Sequence, residues 1–150
     1  MKRVELAILG ISPATGSHVM VLREADGERA LVMGIGPAES LALATGAGKA
    51  KLPRPLTHDL IKELLDRLEV KVRSVVIHDV RDNAFIASLE IDSPKGVMEI
   101  DCRPSDAVAL ALRCEAPILA DERMLEEAGV DIGTLRHQGD PGEQGPEWID

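Results

Sequence analysis

The stretch that decides the fold is Asp101-Cys102-Arg103-Pro104-Ser105-Asp106-Ala107-Val108-Ala109-Leu110-Ala111-Leu112-Arg113, because two periodicities meet within it. Residues 97–103 alternate between polar and apolar side chains, which predicts a strand. From Pro104 or Ser105 the chain becomes a run of Ala, Val and Leu, which predicts a helix through Glu115. The chain therefore passes directly from a strand into a helix, and charged and hydroxyl side chains gather at the change.

A second helix start lies at Arg54-Pro55-Leu56-Thr57-His58-Asp59-Leu60. Thr57 is a good N-cap residue, and apolar residues follow at helical spacing, so we predict a helix over 57–69. Helix starts expose unpaired backbone N–H groups and a partial positive charge, and an anion such as phosphate can be held there. Two such starts in one small chain predict a binding or catalytic site without saying which.

Strand patterns dominate the rest of the chain. Further strands are predicted over 4–11, 18–24, 30–35, 70–80, 84–92 and 118–120. Pro37 begins a helix to Ala47, and Asp121 caps another through Ala128. Because the helices are inserted between hairpins without regular alternation, we predict an α+β fold, with a mostly antiparallel or mixed sheet and three to four helices in a single compact domain.

Composition limits the possible functions. The 150 residues are 45% hydrophobic and 29% charged, which is typical of one globular domain. A formal net charge of −9 argues against a protein that coats DNA non-specifically. One Phe, one Trp and no Tyr argue against single-strand binding by aromatic stacking. Lys49, Lys51 and Arg54 leave a local basic patch open.

Targeting signals are not evident in the sequence. No apolar run approaches a membrane span, and no signal peptide is recognised. The two cysteines are too few for a disulfide framework, so we expect a cytoplasmic protein with reduced thiols. From Gly133 onward the chain is rich in Gly, Pro and acidic residues, and we expect residues 133–150 to be a disordered tail.

The polar residues at the helix starts each admit two interpretations. His58 could be a general base or metal ligand oriented by Asp59, or His58 could lie on the surface while Asp59 complements the helix dipole. Ser105 and Asp106 could belong to a site, or could be an ordinary N-cap and a dipole partner. Glu39 could be a third acidic group or a plain surface residue. The density of such residues favours function.

Glu99 and Asp101 form a further acidic pair on the strand that precedes the second motif. At this spacing they could share a divalent cation through oxygen ligands. The alternative is a solvated strand face on which Arg103 pairs with Asp101.

Three motifs together resemble the signatures of the bifunctional nuclease family, which is defined by the BFN domain. They are Arg54 to Leu60, Arg103 to Arg113 with Pro117-Ile118 after it, and Ile35-Gly36-Pro37-Ala38-Glu39. The resemblance spans roughly residues 3 to 130, and we assign residues 1–132 to the BFN-like domain. Gly34 stands where the family usually has an aromatic residue, which removes any stacking contact at that position.

The resemblance implies a compact α+β domain that forms a homo-oligomer, expected to be a dimer, and a nuclease activity on DNA and RNA. The residues that it carries over are Glu39, Arg54, Thr57, His58, Asp59, Arg103, Ser105 and Asp106.

The first hypothesis is a nuclease. His58 would be the general base or a metal ligand, and Asp59 with Asp106 or Glu39 would hold one divalent ion, Mg²⁺ or Mn²⁺. Arg54 and Arg103 would bind the phosphate, with Thr57 and Ser105 beside them at the helix starts. No organic cofactor and no membrane partner are expected.

The second hypothesis is a non-catalytic module that holds an anionic ligand at the helix starts, or in which the motifs only lock the fold. Pairing of Arg54 with Asp106, or of Arg103 with Asp59, would favour it. An open cleft lined by the motif residues would instead favour the enzyme.

Overall fold

One mixed β-sheet organises the described residues, 1–137 and 147–148, of the computed structural model. Its nine strands within those residues are β1 Lys2–Ile11, β2 His18–Glu24, β3 Arg29–Ile35, β4 Lys71–Arg81, β5 Ala84–Ser93, β6 Gly96–Cys102, β7 Ile118–Ala120, β8 Val130–Asp131 and β9 Glu147–Trp148. The order is β6-β5-β4-β7-β1-β2-β3-β8, and β9 pairs with β1. All pairs are antiparallel except β4 with β7. The predicted α+β class is confirmed.

Five helices occur within the described residues. They are α1 Pro37–Gly46, α2 Thr57–Arg67, α3 Pro104–Cys114, α4 Glu122–Ala128 and α5 Ile132–His137. The first four match the predicted helices, and α5 exceeds the predicted three to four. The α5 helix and the β1–β9 pair Ile8↔Trp148 fall partly within the predicted tail. The rest of that tail lies outside the described residues.

The α3 helix is the element against which α1 and α2 pack. Ser105 and residues 107–111 are buried, because the small side chains let the helix lie close to the sheet. It packs on β4 and β5, and both α1 and α2 pack against it. Val75, Ile77 and Leu89 of the sheet share its hydrophobic core. This packing brings the start of α3 near those of α1 and α2.

A tight turn at Asp82-Asn83 joins β4 to β5, as the sequence predicts. Both residues have positive φ, 50° and 64°, which is the conformation of a two-residue hairpin turn of the I′ kind. Asn and Asp tolerate this left-handed conformation better than other non-glycine residues. The turn places Asn83 and Phe85 beside the start of α3, where both residues line a cleft.

The start of α2 differs from the prediction that Thr57 is its N-cap. The N-cap residue is Leu56, and Thr57 is the first helical residue, with an exposed side chain. The Leu56 backbone N–H donates to Oδ2 of Asp59 at 2.8 Å. The carboxylate three residues into the helix therefore satisfies an N–H group at its start, which is the physical reason that Thr57 is not needed for the cap.

Candidate functional site

Asp106 is the centre of a chain of ion pairs that joins three helix starts. Its Oδ1 lies 2.9 Å from Nε2 of His58, and its Oδ2 accepts a hydrogen bond of 2.8 Å from Nε of Arg103. Arg103 donates again to Oδ1 at 3.0 Å, so the guanidinium binds the carboxylate in a two-pronged way. His58 is buried, contrary to the alternative that placed it on the surface.

The chain of ion pairs continues from Arg103 to Glu39. One terminal N–H of Arg103 donates to Oε1 of Glu39 at 2.7 Å. A Cβ at Gly36 would clash with the other carboxylate oxygen of Glu39, so glycine leaves room for this side chain to fold back over the start of α1. This contact explains the Gly-x-x-Glu spacing of the third motif.

Glu39 and Asp106, the two carboxylates in this chain of ion pairs, are held in their charged form. Arg103 lowers the pKa of Glu39 by its hydrogen bond, and a backbone N–H adds to the effect. Burial opposes ionisation of Asp106, but the hydrogen bonds from Arg103 and His58 outweigh it and lower the pKa. Both groups are therefore anions at neutral pH.

Asp59 belongs to a separate ion pair. Its Oδ1 accepts a hydrogen bond of 2.7 Å from Nε of Arg113, and this bond is the main reason that the pKa of Asp59 is lowered. The Arg113 side chain is only 6% exposed. It also donates to the carbonyl oxygens of Ala42 and Ala109 and to Oγ1 of Thr45, so it ties α1, α2 and α3 together.

A cleft of about 560 Å³ lies beside Arg103 and Glu39. The end of β3, the β4–β5 turn and the starts of α1 and α3 line it. Its lining residues include Ser17, Gly34, Gly36, Glu39, Asn83, Phe85, Arg103 and Ser105. Arg103 has 62% of its side chain exposed, whereas Ser105 is buried in the wall.

The predicted site residues divide into three groups. Glu39, Arg103 and Ser105 line the cleft; His58 and Asp106 lie behind them in the ion-pair chain. Asp59 pairs elsewhere, and Arg54 and Thr57 are exposed outside the cleft lining.

The ion pairs suggested by the sequence do not have the partners seen in the structure. Asp106 pairs with Arg103 and His58. Asp59 pairs with Arg113. Arg103 follows the end of β6 and turns toward Asp106 and Glu39, so it does not pair with Asp101 on a strand face.

A divalent cation does not fit this arrangement well. Within the described part of the chain, no three His, Cys, Asp or Glu side chains converge so that they could hold a metal ion. Asp59 and Asp106 already accept hydrogen bonds from different arginines, which supply the positive charge that a cation would otherwise provide. The expected Mg²⁺ or Mn²⁺ stays a prediction.

Two residues of the region were missed by sequence reasoning. Arg113 closes the second motif, and a charged residue ending a buried helix signals a buried ion pair, because an unpaired guanidinium would not be tolerated there. Phe85 follows the turn and lines the cleft, but a single aromatic residue in a strand gives no signal of its own.

Fold and site define an α+β domain with arginine–carboxylate pairs gathered at neighbouring helix starts, beside an open cleft. A family model for the bifunctional nuclease domain matches residues 20–133. The chain therefore belongs to the bifunctional nuclease domain family, as the resemblance of its motifs predicts.

Individual relatives agree with this family. An uncharacterized protein of Mycobacterium tuberculosis is 37% identical over 132 residues, which are 88% of this chain and 79% of the relative. Bifunctional nuclease 1 of Oryza sativa subsp. indica is 26% identical over 83% of this chain but 39% of its own length. Bifunctional nuclease 2 of Arabidopsis thaliana is 27% identical over 66% of this chain and 32% of its own length.

Among the described residues, no helix is both long and apolar enough to cross a membrane.

Proposed function

We propose that this protein hydrolyses phosphodiester bonds of DNA and RNA at the cleft beside Arg103. The observation that carries the proposal is that Arg103 is exposed at the cleft while Asp106 and Glu39 fix its guanidinium from two sides. A pre-positioned guanidinium matches the oxygens of a phosphate group and stabilises the charge that develops on them during hydrolysis. The names of the plant relatives support nucleic acid as the substrate.

Each residue near Arg103 has a role in this proposal. Glu39 lines the cleft in its charged form and is the proposed acceptor of a proton from the water that attacks phosphorus. The bond from phosphorus to one sugar oxygen then breaks, and that oxygen takes a proton from solvent. Asp106 and His58 are positioning residues, because they orient the guanidinium without lining the cleft. The catalytic roles predicted for His58, Asp59 and Asp106 stay predictions that the same assay tests.

The test is a cleavage assay on single-stranded DNA, double-stranded DNA and RNA with Mg²⁺, Mn²⁺ or EDTA. We expect Arg103→Gln and Glu39→Gln to lose most activity, roughly 100-fold or more, because the first removes the guanidinium that binds the phosphate and the second removes the proposed proton acceptor. Arg73→Gln, at an arginine of β4 that is 52% exposed and lies outside the motifs and the cleft lining, is the matched control. Equal cleavage by wild type and Arg103→Gln would contradict the proposal and indicate a contaminant.

The EDTA arm of this assay also tests the predicted metal. Activity that is lost in EDTA and restored by Mg²⁺ or Mn²⁺ would establish metal dependence. Asp59→Asn and His58→Ala then show whether the first motif takes part in catalysis or in stability alone, because both proteins can be checked for folding before they are assayed.

A second candidate function is a non-catalytic module that holds an anionic ligand at the helix starts. The mutual pairing of Arg103, Glu39, Asp106 and His58 favours it, because each group is satisfied without a substrate. Binding of a nucleotide with no cleavage of any substrate would support this function over the nuclease.

We also propose that the protein is a homo-oligomer, a dimer built on α2. Leu60, Leu64 and Leu68 repeat every four residues on one face of this helix and are 56%, 52% and 64% exposed. A two-fold axis at Leu64 would pair this face with itself and place Glu63 of one copy beside the partner's Arg67. The apolar stripe and its flanking charges are thus self-complementary.

The proposed location is the cytoplasm. Cys102 and Cys114 are both free, and unpaired thiols are typical of a reducing compartment.

A further inference from the structure

The only phenylalanine in the sequence lies in the cleft that holds Arg103. We propose that this cleft binds one nucleotide unit, with its base stacked on Phe85 and its phosphate on Arg103. The inference rests on the proposed function for its class of ligand, nucleic acid or its fragments. It adds the size of the unit recognised and the residue that contacts the base.

Phe85 lines the cleft from β5. It follows the Asp82-Asn83 turn in β5, on the same side of the strand as the buried Ala87 and Leu89. Those two residues are covered, whereas Phe85 is half-buried and lines the cleft. Phe85 thus packs against the core and also lines the cleft, as a residue that stacks on a base must do.

The walls of the cleft leave room for a planar group. Its volume of about 560 Å³ is in the range of pockets that bind small organic ligands. A Cβ built at Gly34 would meet no atom within 4 Å, so the β3 side of the cleft is open space. Ser17 and Asn83 add exposed polar groups at the rim, which can hydrogen-bond the edge of a base.

The lining offers contacts for a single phosphate group. Among the described residues that line this cleft, Arg103 is the one Lys or Arg, and Glu39 lies beside it. Arg103 donates three of its five N–H groups to Asp106 and Glu39, so two remain for one phosphate group, while a polyphosphate would place further negative charge near the Glu39 carboxylate. The cleft therefore fits a nucleoside monophosphate or one unit of a strand.

The experiment is calorimetric titration of the whole protein with 5′-AMP and with ribose 5-phosphate. We expect AMP to bind more tightly than ribose 5-phosphate, because only AMP carries a base to stack. Phe85→Leu keeps an apolar side chain for the core, and we expect it to weaken AMP binding roughly 5- to 100-fold while ribose 5-phosphate is unchanged. Arg103→Gln should weaken both ligands.

Gly34→Val gives a second variant that leaves Phe85 in place. Valine suits a strand and meets no atom at Cβ, so the protein should fold while the side chain narrows the cleft. We expect AMP binding to fall without a loss of thermal stability. Val97→Ala, at a 54% exposed position on β6, is the control that should bind both ligands as the wild type does.

The outcomes separate this inference from the proposed function. The deciding quantity is the affinity for AMP divided by the affinity for ribose 5-phosphate. If Phe85→Leu leaves this ratio unchanged, the inference is overturned, even if the protein cleaves nucleic acid. If Phe85→Leu lowers the ratio to near one, the inference is supported, even if no cleavage is found and the nuclease proposal fails. Equal binding of both ligands by the wild type, or binding of neither, would also overturn it.

Discussion

At the residue scale, one carboxylate determines how the cleft is built. Asp106 accepts hydrogen bonds from Arg103, which reaches the cleft, and lies 2.9 Å from the ring nitrogen of His58, which is buried. A partly buried anion that lost these partners would remain desolvated without compensation. The conformation of Arg103 therefore depends on residues that never touch a ligand.

The lowered pKa of Asp106 predicts how stability varies with pH. Because the pKa in the folded state lies below its ordinary value of 3.8, this carboxylate stabilises the folded state above that pH. The stabilisation is lost as the pH falls through the folded-state pKa. We expect the free energy of unfolding, from urea denaturation at several pH values, to decline below about pH 4.

Asp106→Asn tests this assignment. The variant should be less stable at pH 7 and should show a shallower decline below about pH 4, because the titrating group is gone. Parallel curves for wild type and variant would show that other carboxylates carry the acid sensitivity.

Arg113 predicts a large effect on stability from one side chain. It donates to Asp59, to Thr45 and to two carbonyl oxygens, and its side chain is only 6% exposed. We expect Arg113→Ala to lower the free energy of unfolding by about 2–4 kcal/mol, since it leaves acceptors unpaired between three helices.

Arg81→Ala is the matched control for Arg113→Ala. Arg81 also pairs with a carboxylate, that of Asp79, but its side chain is 75% exposed. Solvent screens such a pair, so the variant should stay within about 0.5 kcal/mol of the wild type. Similar losses in both variants would show that burial of Arg113 adds nothing.

At the element scale, the loop between α1 and α2 is the basic segment of an acidic protein. Lys49, Lys51 and Arg54 are all exposed in it. The net charge of −9 opposes association with a polyanion, so local cations must offset the repulsion. If the proposed function holds, this loop attracts nucleic acid toward the helix starts without itself lining the cleft.

Replacing Lys49, Lys51 and Arg54 together by Gln should weaken binding to a single-stranded oligonucleotide. The affinity falls as salt rises, so the slope of log affinity against log salt concentration is negative. If all three side chains contact phosphates, this slope should become shallower by about 2. Fluorescence anisotropy at several salt concentrations measures both quantities. The same change at the exposed Arg67, Arg81 and Lys95 keeps the charge equal, and an equal loss there would argue against a specific role of the loop.

The elements themselves were largely predictable. Strand alternation and the Asp82-Asn83 turn predicted β4, β5 and their connection, because turn residues and side-chain period act locally. The start of α2 was not predicted correctly, since Asp59 satisfies the N–H group of Leu56 and no Thr57 cap is needed. Both Thr57 and Asp59 could satisfy the unpaired N–H groups at this helix start, and the sequence contains both residues.

At the scale of the whole molecule, the α2 face predicts self-association. Its exposed leucines Leu60, Leu64 and Leu68 form a continuous apolar stripe, which a monomer would leave in water. We expect light scattering after gel filtration to give a dimer for the wild type and a monomer for Leu64→Glu, because that change puts two carboxylates together at the two-fold axis.

Val97→Glu is the control for this prediction. Val97 is 54% exposed on β6, the edge strand of the sheet, whereas α2 packs on α3. We expect this variant to remain a dimer. Dissociation by Val97→Glu, with no effect of Leu64→Glu, would place the interface at the sheet edge instead.

The sequence by itself determined the α+β class, the helices and strands around both motifs, and the bifunctional nuclease family, because periodicity, turn residues and motif spacing are local properties of the chain. Only the tertiary structure decided which charges meet. Asp59 and Asp106, expected to share one ion, pair with different arginines, and Phe85 joins Arg103 at one cleft. Such contacts depend on how α1, α2 and α3 pack on the sheet, and side-chain directions between distant segments are fixed only by that packing.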